Sequence, residues 1–348
     1  MAATSVTTSP GATRFAASLP GAGFLSYLGK KLAAAVVSFA VLLVIGYVIF
    51  SIMPADPVES YVRSHQHVTP AQIAALRHQL GLDQSPLQRF GEFVWNTLQG
   101  NLGFSWQFQE PVSTLILQRL WPTLLLTGSA MIVSMVIGLW LGVRSGWRPG
   151  SLLDRTSSGV SLGFWSMPTF WLGLILLVIF SLGPVAGLLP SGGMSTAGTP
   201  GGLAPSHILD VLRHLILPCL TLTLVGFAQY VAIMRSSVLD ELGSPYLLTA
   251  RAKGLRDDDV RRRHATPNAL LPTVTVIFLQ LGSLVTGAIT VETVYSWPGL
   301  GYLTYQALNI PDLPLLEGTF VVFGASVIAM NLLADIVYRY LDPRVRRQ

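Results

Sequence analysis

The chain has 348 residues, of which 51% are hydrophobic and 11% charged, with a formal net charge of +5 and one cysteine. Soluble domains carry about 25% charged residues, so this composition excludes a soluble globular protein, a disordered chain and a collagen-like one, and leaves a polytopic membrane protein. Cys219 alone makes no intrachain disulfide, and the lysines Lys30, Lys31 and Lys253 precede Lys, Leu and Gly, so no Gly-Lys-Ser/Thr phosphate loop exists.

Residues 1–27 are rich in Ala, Ser, Thr and Gly without periodicity and read as a mobile cytoplasmic tail. The body, 28–348, carries six apolar runs long enough to cross a bilayer as helices, which need about 20 residues each. They are Leu32–Met53, Trp121–Val143, Thr156–Leu182 with Pro168 in its middle, Leu215–Met234, Pro272–Val294 and Leu315–Tyr338. The predicted fold is therefore all-α, a multi-pass protein of six transmembrane helices. The first run is too long for a signal-peptide core and has no small-x-small cleavage site after it, so it reads as an uncleaved span.

Orientation follows from the basic residues. With both termini in the cytoplasm, seventeen of the 22 Lys and Arg residues lie inside, and only Arg63, Arg77, Arg89, Arg119 and Arg213 lie outside. The excess of positive charge thus marks cytoplasmic loops in a lipid bilayer rather than a nucleic-acid surface.

The outer loop, 54–118, is too long for a connector. Thr69 and Pro70 open a predicted helix carrying Ile73, Leu76 and Leu80 and stopped by Gly81; a second runs over Pro86–Leu98 with Phe90, Phe93, Val94 and Trp95 as its apolar side. Such a cap suits either a soluble partner or a lid on the protein's own spans. His65, His67 and His78 include a His-x-His pair, but no further ligand follows at fixed spacing, so no metal site is predicted.

The cytoplasmic loop 235–271 forms a predicted two-helix elbow. Ser244-Pro245 starts one helix, and Gly254 closes it after Ala250, Ala252 and Lys253. The small alanines would admit another surface close to the backbone. Asp257, Asp258 and Asp259 each precede Arg261, Arg262 or Arg263 by four residues, the favourable order for helical ion pairs. Pro267 and Pro272 mark the return to the membrane. Within the spans, the polar Gln229, Gln280 and Glu292 are candidates for a substrate path or for bonds between helices, and Asp335 is placed to pair with Arg339.

The elbow resembles the EAA motif of ABC importer permeases, Glu-Ala-Ala-x3-Gly-x9-Ile-x-Leu-Pro. Ala250, Gly254 and Pro267 match in identity and spacing, while Leu248, Thr249, His264 and Thr266 replace Glu, Ala, Ile and Leu. The dipeptide/oligopeptide/nickel branch resembles it more closely, through Thr249-Ala250-Arg251-Ala252-Lys253-Gly254-Leu255, Arg263-His264-Ala265 and Asn268-Ala269-Leu270-Leu271-Pro272, with Pro267 departing from it. Met53-Pro54-Ala55-Asp56-Pro57, Leu80-Gly81-Leu82-Asp83-Gln84-Ser85-Pro86, Gly100-Asn101-Leu102-Gly103, Pro111-Val112, the run Glu292-Thr293-Val294-Tyr295-Ser296-Trp297-Pro298-Gly299-Leu300-Gly301 and Asp342-Pro343-Arg344-Val345-Arg346 extend the likeness from about residue 28 to the end.

The resemblance implies the type I importer permease fold and the B-type permease subunit of a peptide importer in the bacterial inner membrane, with nickel or a metal chelate as the alternative cargo. It implies a second homologous permease, one or two P-loop ATPase subunits that hold ATP and Mg, and an extracytoplasmic substrate-binding protein. The chain itself would be no enzyme and bind no cofactor. Leu248, Thr249, Ala250, Arg251, Ala252, Lys253, Gly254, Leu255, His264 and Pro267 would couple it to the ATPase. A secondary transporter, the reading of another class, would need internal repeats and charges deep in the membrane, and the sequence has neither.

Overall fold

A computed structural model of the chain describes residues 22–52, 69–70, 84–183, 187–199, 202, 204–282, 284–285 and 288–341. The three outer histidines, the predicted helix beyond Pro70 and the C-terminal motif from Asp342 lie outside these residues.

Helix α1, Ala22–Ile52, starts inside the predicted tail and contains the first span. The outer helix α2, Pro86–Leu98, has its predicted bounds and opens on a capping box between Ser85 and Gln88. It lies against α1: Tyr47 donates to the Pro86 carbonyl at 2.7 Å and stacks edge-on to Phe90 with ring centroids 5.2 Å apart. Trp95, expected on the apolar side, is 64% exposed. Two short strands not expected from the sequence follow, β1 (Phe104–Ser105) and β2 (Glu110–Pro111), paired antiparallel.

Helix α3, Val112–Trp147, outruns its predicted span at both ends. Helices α4, Leu152–Trp165, and α5, Thr169–Leu177, replace the single third span predicted from the sequence; α5 continues as a π turn, Val178–Leu182, and the two limbs meet at 98°. Pro168 explains the break, because it has no N–H for a helical bond and disfavours helical backbone at Met167. The opposite outcome holds at Pro218, which sits inside the unbroken helix α6, Pro205–Leu242.

The elbow follows as α7, Pro245–Ala252, and α8, Asp257–Val260, then a π turn, Arg261–Ala265, which leads into α9, Thr266–Leu281. Helices α6 and α9 extend into the predicted elbow 235–271 from either side. Pro267 stands just after the π turn, inside a helical backbone that runs without a break from Asp257 into α9. Helix α9 stops before Gly282, and Ile289–Val294 forms a separate short helix, α10, where the sequence predicted one continuous span. Leu300–Asn309 forms α11, and Leu313–Leu341 forms α12.

Four of these helices are long and apolar enough to cross a membrane, and the α4–α5 pair makes a bent fifth candidate, among the described residues. The centre of the molecule is the pair α3 and α6. Gly142 and Gly146 let the two backbones touch: a Cβ on Gly142 would stand 2.7 Å from Met234 Cβ, and one on Gly146 would stand 2.8 Å from the Arg235 carbonyl oxygen. Helix α1 packs on α12, where Asp335 meets Lys31 of α1 at 2.7 Å; the predicted pair with Arg339 involves a side chain outside those described.

Candidate coupling elbow and substrate path

Elbow helix α7 has two unlike faces. Leu247 and Ala250 point inward, 0% and 5% exposed, into a small core with Trp147, Met234, Val238 and Val260. Ala250 is therefore small so that the elbow can approach its own spans. The outward side carries Leu248, 61% exposed, and Leu255, 40% exposed, beside the exposed Thr249, Arg251, Ala252 and Lys253. His264 is half-buried and Pro267 exposed. A folded helix that shows bulky apolar groups on one side and is anchored on the other has the anatomy of a docking surface.

The ends of α7 are built as the sequence suggested, with one change. Ser244 stands at the cap position before Pro245, but its hydroxyl donates to the Glu241 carboxylate at 3.2 Å instead of receiving a helix N–H. Tyr246 also donates to Glu241, and burial, helped by that carboxylate, pushes its phenol above the ordinary range. At the other end Gly254 takes φ +79°, with its N–H on the Arg251 carbonyl at 2.9 Å and the Leu255 N–H on the Ala250 carbonyl at 3.4 Å. That pair of bonds is a Schellman stop, which needs a left-handed residue. No atom lies within 4 Å of a Cβ at Gly254, so the glycine serves backbone conformation alone. Gly254→Val is expected to cost roughly 1–2 kcal/mol at this turn and to speed amide exchange at Leu255, with Gly254→Asn milder; unchanged exchange would show that the turn does not depend on glycine.

The aspartates divide their work differently from the uniform pairing expected. Asp259 meets Arg263 at 3.5 Å, and Asp258 meets Arg261 at 2.9 Å, three residues on. Asp257 leaves its helix and accepts the Trp147 indole N–H at 2.7 Å, with Arg251 3.5 Å from its other oxygen.

Among the candidate path residues, Gln280 of α9 donates to Gln229 of α6 at 2.5 Å. Gln229 borders two cavities, of about 580 and 210 Å³, the larger also lined by Ser158, Ser161 and Arg235. Glu292 is not brought to them. It is 0% exposed, accepts the Thr123 hydroxyl at 3.0 Å and the Tyr302 N–H at 2.9 Å, and so fastens α10 to α3 and α11. The neighbouring motif residues do similar work, with the Trp297 indole donating to the Pro122 carbonyl at 2.8 Å and the Tyr295 hydroxyl to the Gly173 carbonyl at 2.9 Å.

Two features escaped the sequence reading. Asp154 and Arg235 form a two-pronged ion pair, at 2.5 and 3.0 Å, that ties α4 to α6. Arg235 counted only as a loop cation, although it closes an apolar run. The role of Trp147, which lies beyond the second run and ends α3, had no local sequence signal.

Residues 134–347 match the family described as "Binding-protein-dependent transport system inner membrane component", and residues 24–127 match its N-terminal membrane-component family. A putative peptide permease protein of Brucella suis is 40% identical over 301 residues, covering 86% of this chain and 92% of that protein. The dipeptide transport system permease protein DppB of Escherichia coli K12 is 34% identical over 338 residues, covering 93% and 99%. An inward-facing structure of the MetNI methionine ABC transporter contains a chain of the same fold, with TM-score 0.52 and 21% identity, covering 66% of this chain and 96% of that one.

Proposed function

We propose a function from one premise: the chain belongs to the binding-protein-dependent transport system inner membrane components. It is a membrane-spanning permease subunit of an ATP-driven importer for dipeptides or oligopeptides, as its relatives of matching length are peptide permeases. Its part is transport, without catalysis of its own. ATP, with Mg, is hydrolysed on separate P-loop subunits, a second homologous permease completes the path, and an extracytoplasmic binding protein delivers the peptide.

The observation that carries the coupling is the two-faced elbow, with Leu247 and Ala250 buried and Leu248 and Leu255 exposed. The outward face, Leu248 to Leu255 with His264 and Pro267 beside it, docks in a groove of the ATPase. Closure of the ATPases on ATP draws two such elbows together, tilts the spans and opens the path outward. The chain crosses the inner membrane six times, with both termini in the cytoplasm, the side that collects most of the Lys and Arg. Gln229 and Gln280 offer polar contact along the path, and Glu292 holds its outer wall.

The test is uptake by vesicles containing the whole assembly, with labelled dipeptide and nickel offered separately. ATP-dependent import of dipeptide is expected. Import of nickel alone would overturn the peptide reading, and import that persists with the ATPase inactivated would overturn the coupling.

A further inference from the structure

The elbow is joined by chain to α6 and α9, yet the helix it must also move, α3, lies outside that connection. A push on α7 reaches α6 along the chain, and its direct route to α3 is through side chains. Trp147, the last residue of α3, is 5% exposed and wedged in the elbow core. Its indole N–H reaches Asp257 of α8 at 2.7 Å. The guanidinium of Arg251, from α7, lies 5.4 Å from the ring centroid and 3.5 Å from the same carboxylate. One residue therefore grips both limbs of the elbow.

The remaining contacts between α3 and the elbow are apolar and non-directional, free to slip when the elbow moves. A bond to a carboxylate has a fixed direction and is about twice as strong as a neutral one. Beyond Trp147, the glycine seam of Gly142 and Gly146 presses α3 onto α6 with no side chain between the backbones. Whatever moves Trp147 moves both helices.

We propose that Trp147 is a positioning residue that transmits the elbow's movement to α3, and through α3 to α6, by its bond to Asp257 and its contact with Arg251. The inference rests on the elbow docking to an ATPase, and it adds the joint by which that docking moves the membrane helices. Loss of the Trp147–Asp257 bond leaves the exposed Leu248, Thr249, Ala252 and Lys253 of the docking face untouched and separates ATP hydrolysis from transport.

The experiment uses vesicles holding the full chain with its second permease, ATPase subunits and binding protein, and measures labelled dipeptide import and ATP hydrolysed together. Trp147→Phe keeps the ring and removes the donor. It is expected to retain the ATPase subunits on purification and to raise the ATP consumed per dipeptide roughly tenfold, the loss of one hydrogen bond to a charged group. Asp257→Leu, which removes the acceptor from the elbow side, is expected to do the same. Asp257→Asn keeps an acceptor oxygen for the indole but loses the charge that strengthens that bond and holds Arg251, and is expected to fall between the wild type and Trp147→Phe. A purely structural Trp147 would lower import and hydrolysis together and leave their ratio unchanged, and that result would overturn the proposal. Loss of ATPase subunits from Trp147→Phe would overturn it too, by placing the residue in docking. Failure of the unmodified chain to retain those subunits would overturn the docking reading itself.

Discussion

Replacement of Leu248 by Asp is expected to leave the protein folded in the membrane and to reduce ATP-dependent dipeptide uptake to background. Leu248 is 61% exposed on α7, so a carboxylate there meets water in the free chain and disturbs no internal contact. Surface substitutions of that kind change stability by about 0.5 kcal/mol or less. In the docked state the same carboxylate would be buried without a partner, where a single central position can govern more than 2 kcal/mol of binding, a loss of about 30-fold or more. Leu248→Ala removes area without adding charge and should give an intermediate loss. Uptake and retention of the ATPase subunits on purification are the measurements. Wild-type values for Leu248→Asp would place the docking surface elsewhere.

The second large effect belongs to Glu292. Replacement by Leu strips a fully buried acceptor from the Thr123 hydroxyl, itself 0% exposed, and from the N–H of the half-buried Tyr302, at 3.0 and 2.9 Å in the native protein. Each donor left unsatisfied costs about 1–3 kcal/mol, so the variant should lose about 2–6 kcal/mol. Gly299 lies so close to this carboxylate that a Cβ there would clash with it, which leaves little room for repacking around a branched side chain. Thermal unfolding of purified protein in detergent should show a clear fall in Tm, with Glu292→Gln less affected because its amide keeps one acceptor. The opposite pattern, native Tm with uptake lost, would make Glu292 a substrate contact instead of a fastening between helices.

These two residues also show what can be read from sequence. The elbow was legible because its signals are local: Ser-Pro opens α7, and Gly254 closes it with a left-handed turn that glycine adopts without strain. Four of the predicted spans were legible because their apolar runs have the length a bilayer demands, whereas the third and fifth runs broke into shorter helices among the described residues. What failed was partner choice. Spacing rules gave Asp257 to Arg261, and the fold gave it to Trp147, which is 110 residues away along the chain. Gln229, Gln280 and Glu292 looked alike as polar groups in apolar runs, and only packing separated a pair beside cavities from a buried fastening. Pro168 and Pro218 both lie inside apolar runs. One breaks its segment and the other is carried within α6.

The right-angled break between α4 and α5 has a consequence for hydration. Two limbs at 98° cannot both run along the bilayer normal, so Ser166 and Met167 leave regular helix within the apolar segment. The Ser166 hydroxyl donates to the Gly163 carbonyl at 2.9 Å and satisfies one of the groups freed there. Irregular backbone is tolerated at that depth only against protein or water, since hydrocarbon offers no hydrogen bonds. Where the exposed corner at Ser166 meets hydrocarbon, acyl chains would be excluded from it. In the working assembly that corner must be wetted or covered by a neighbouring chain.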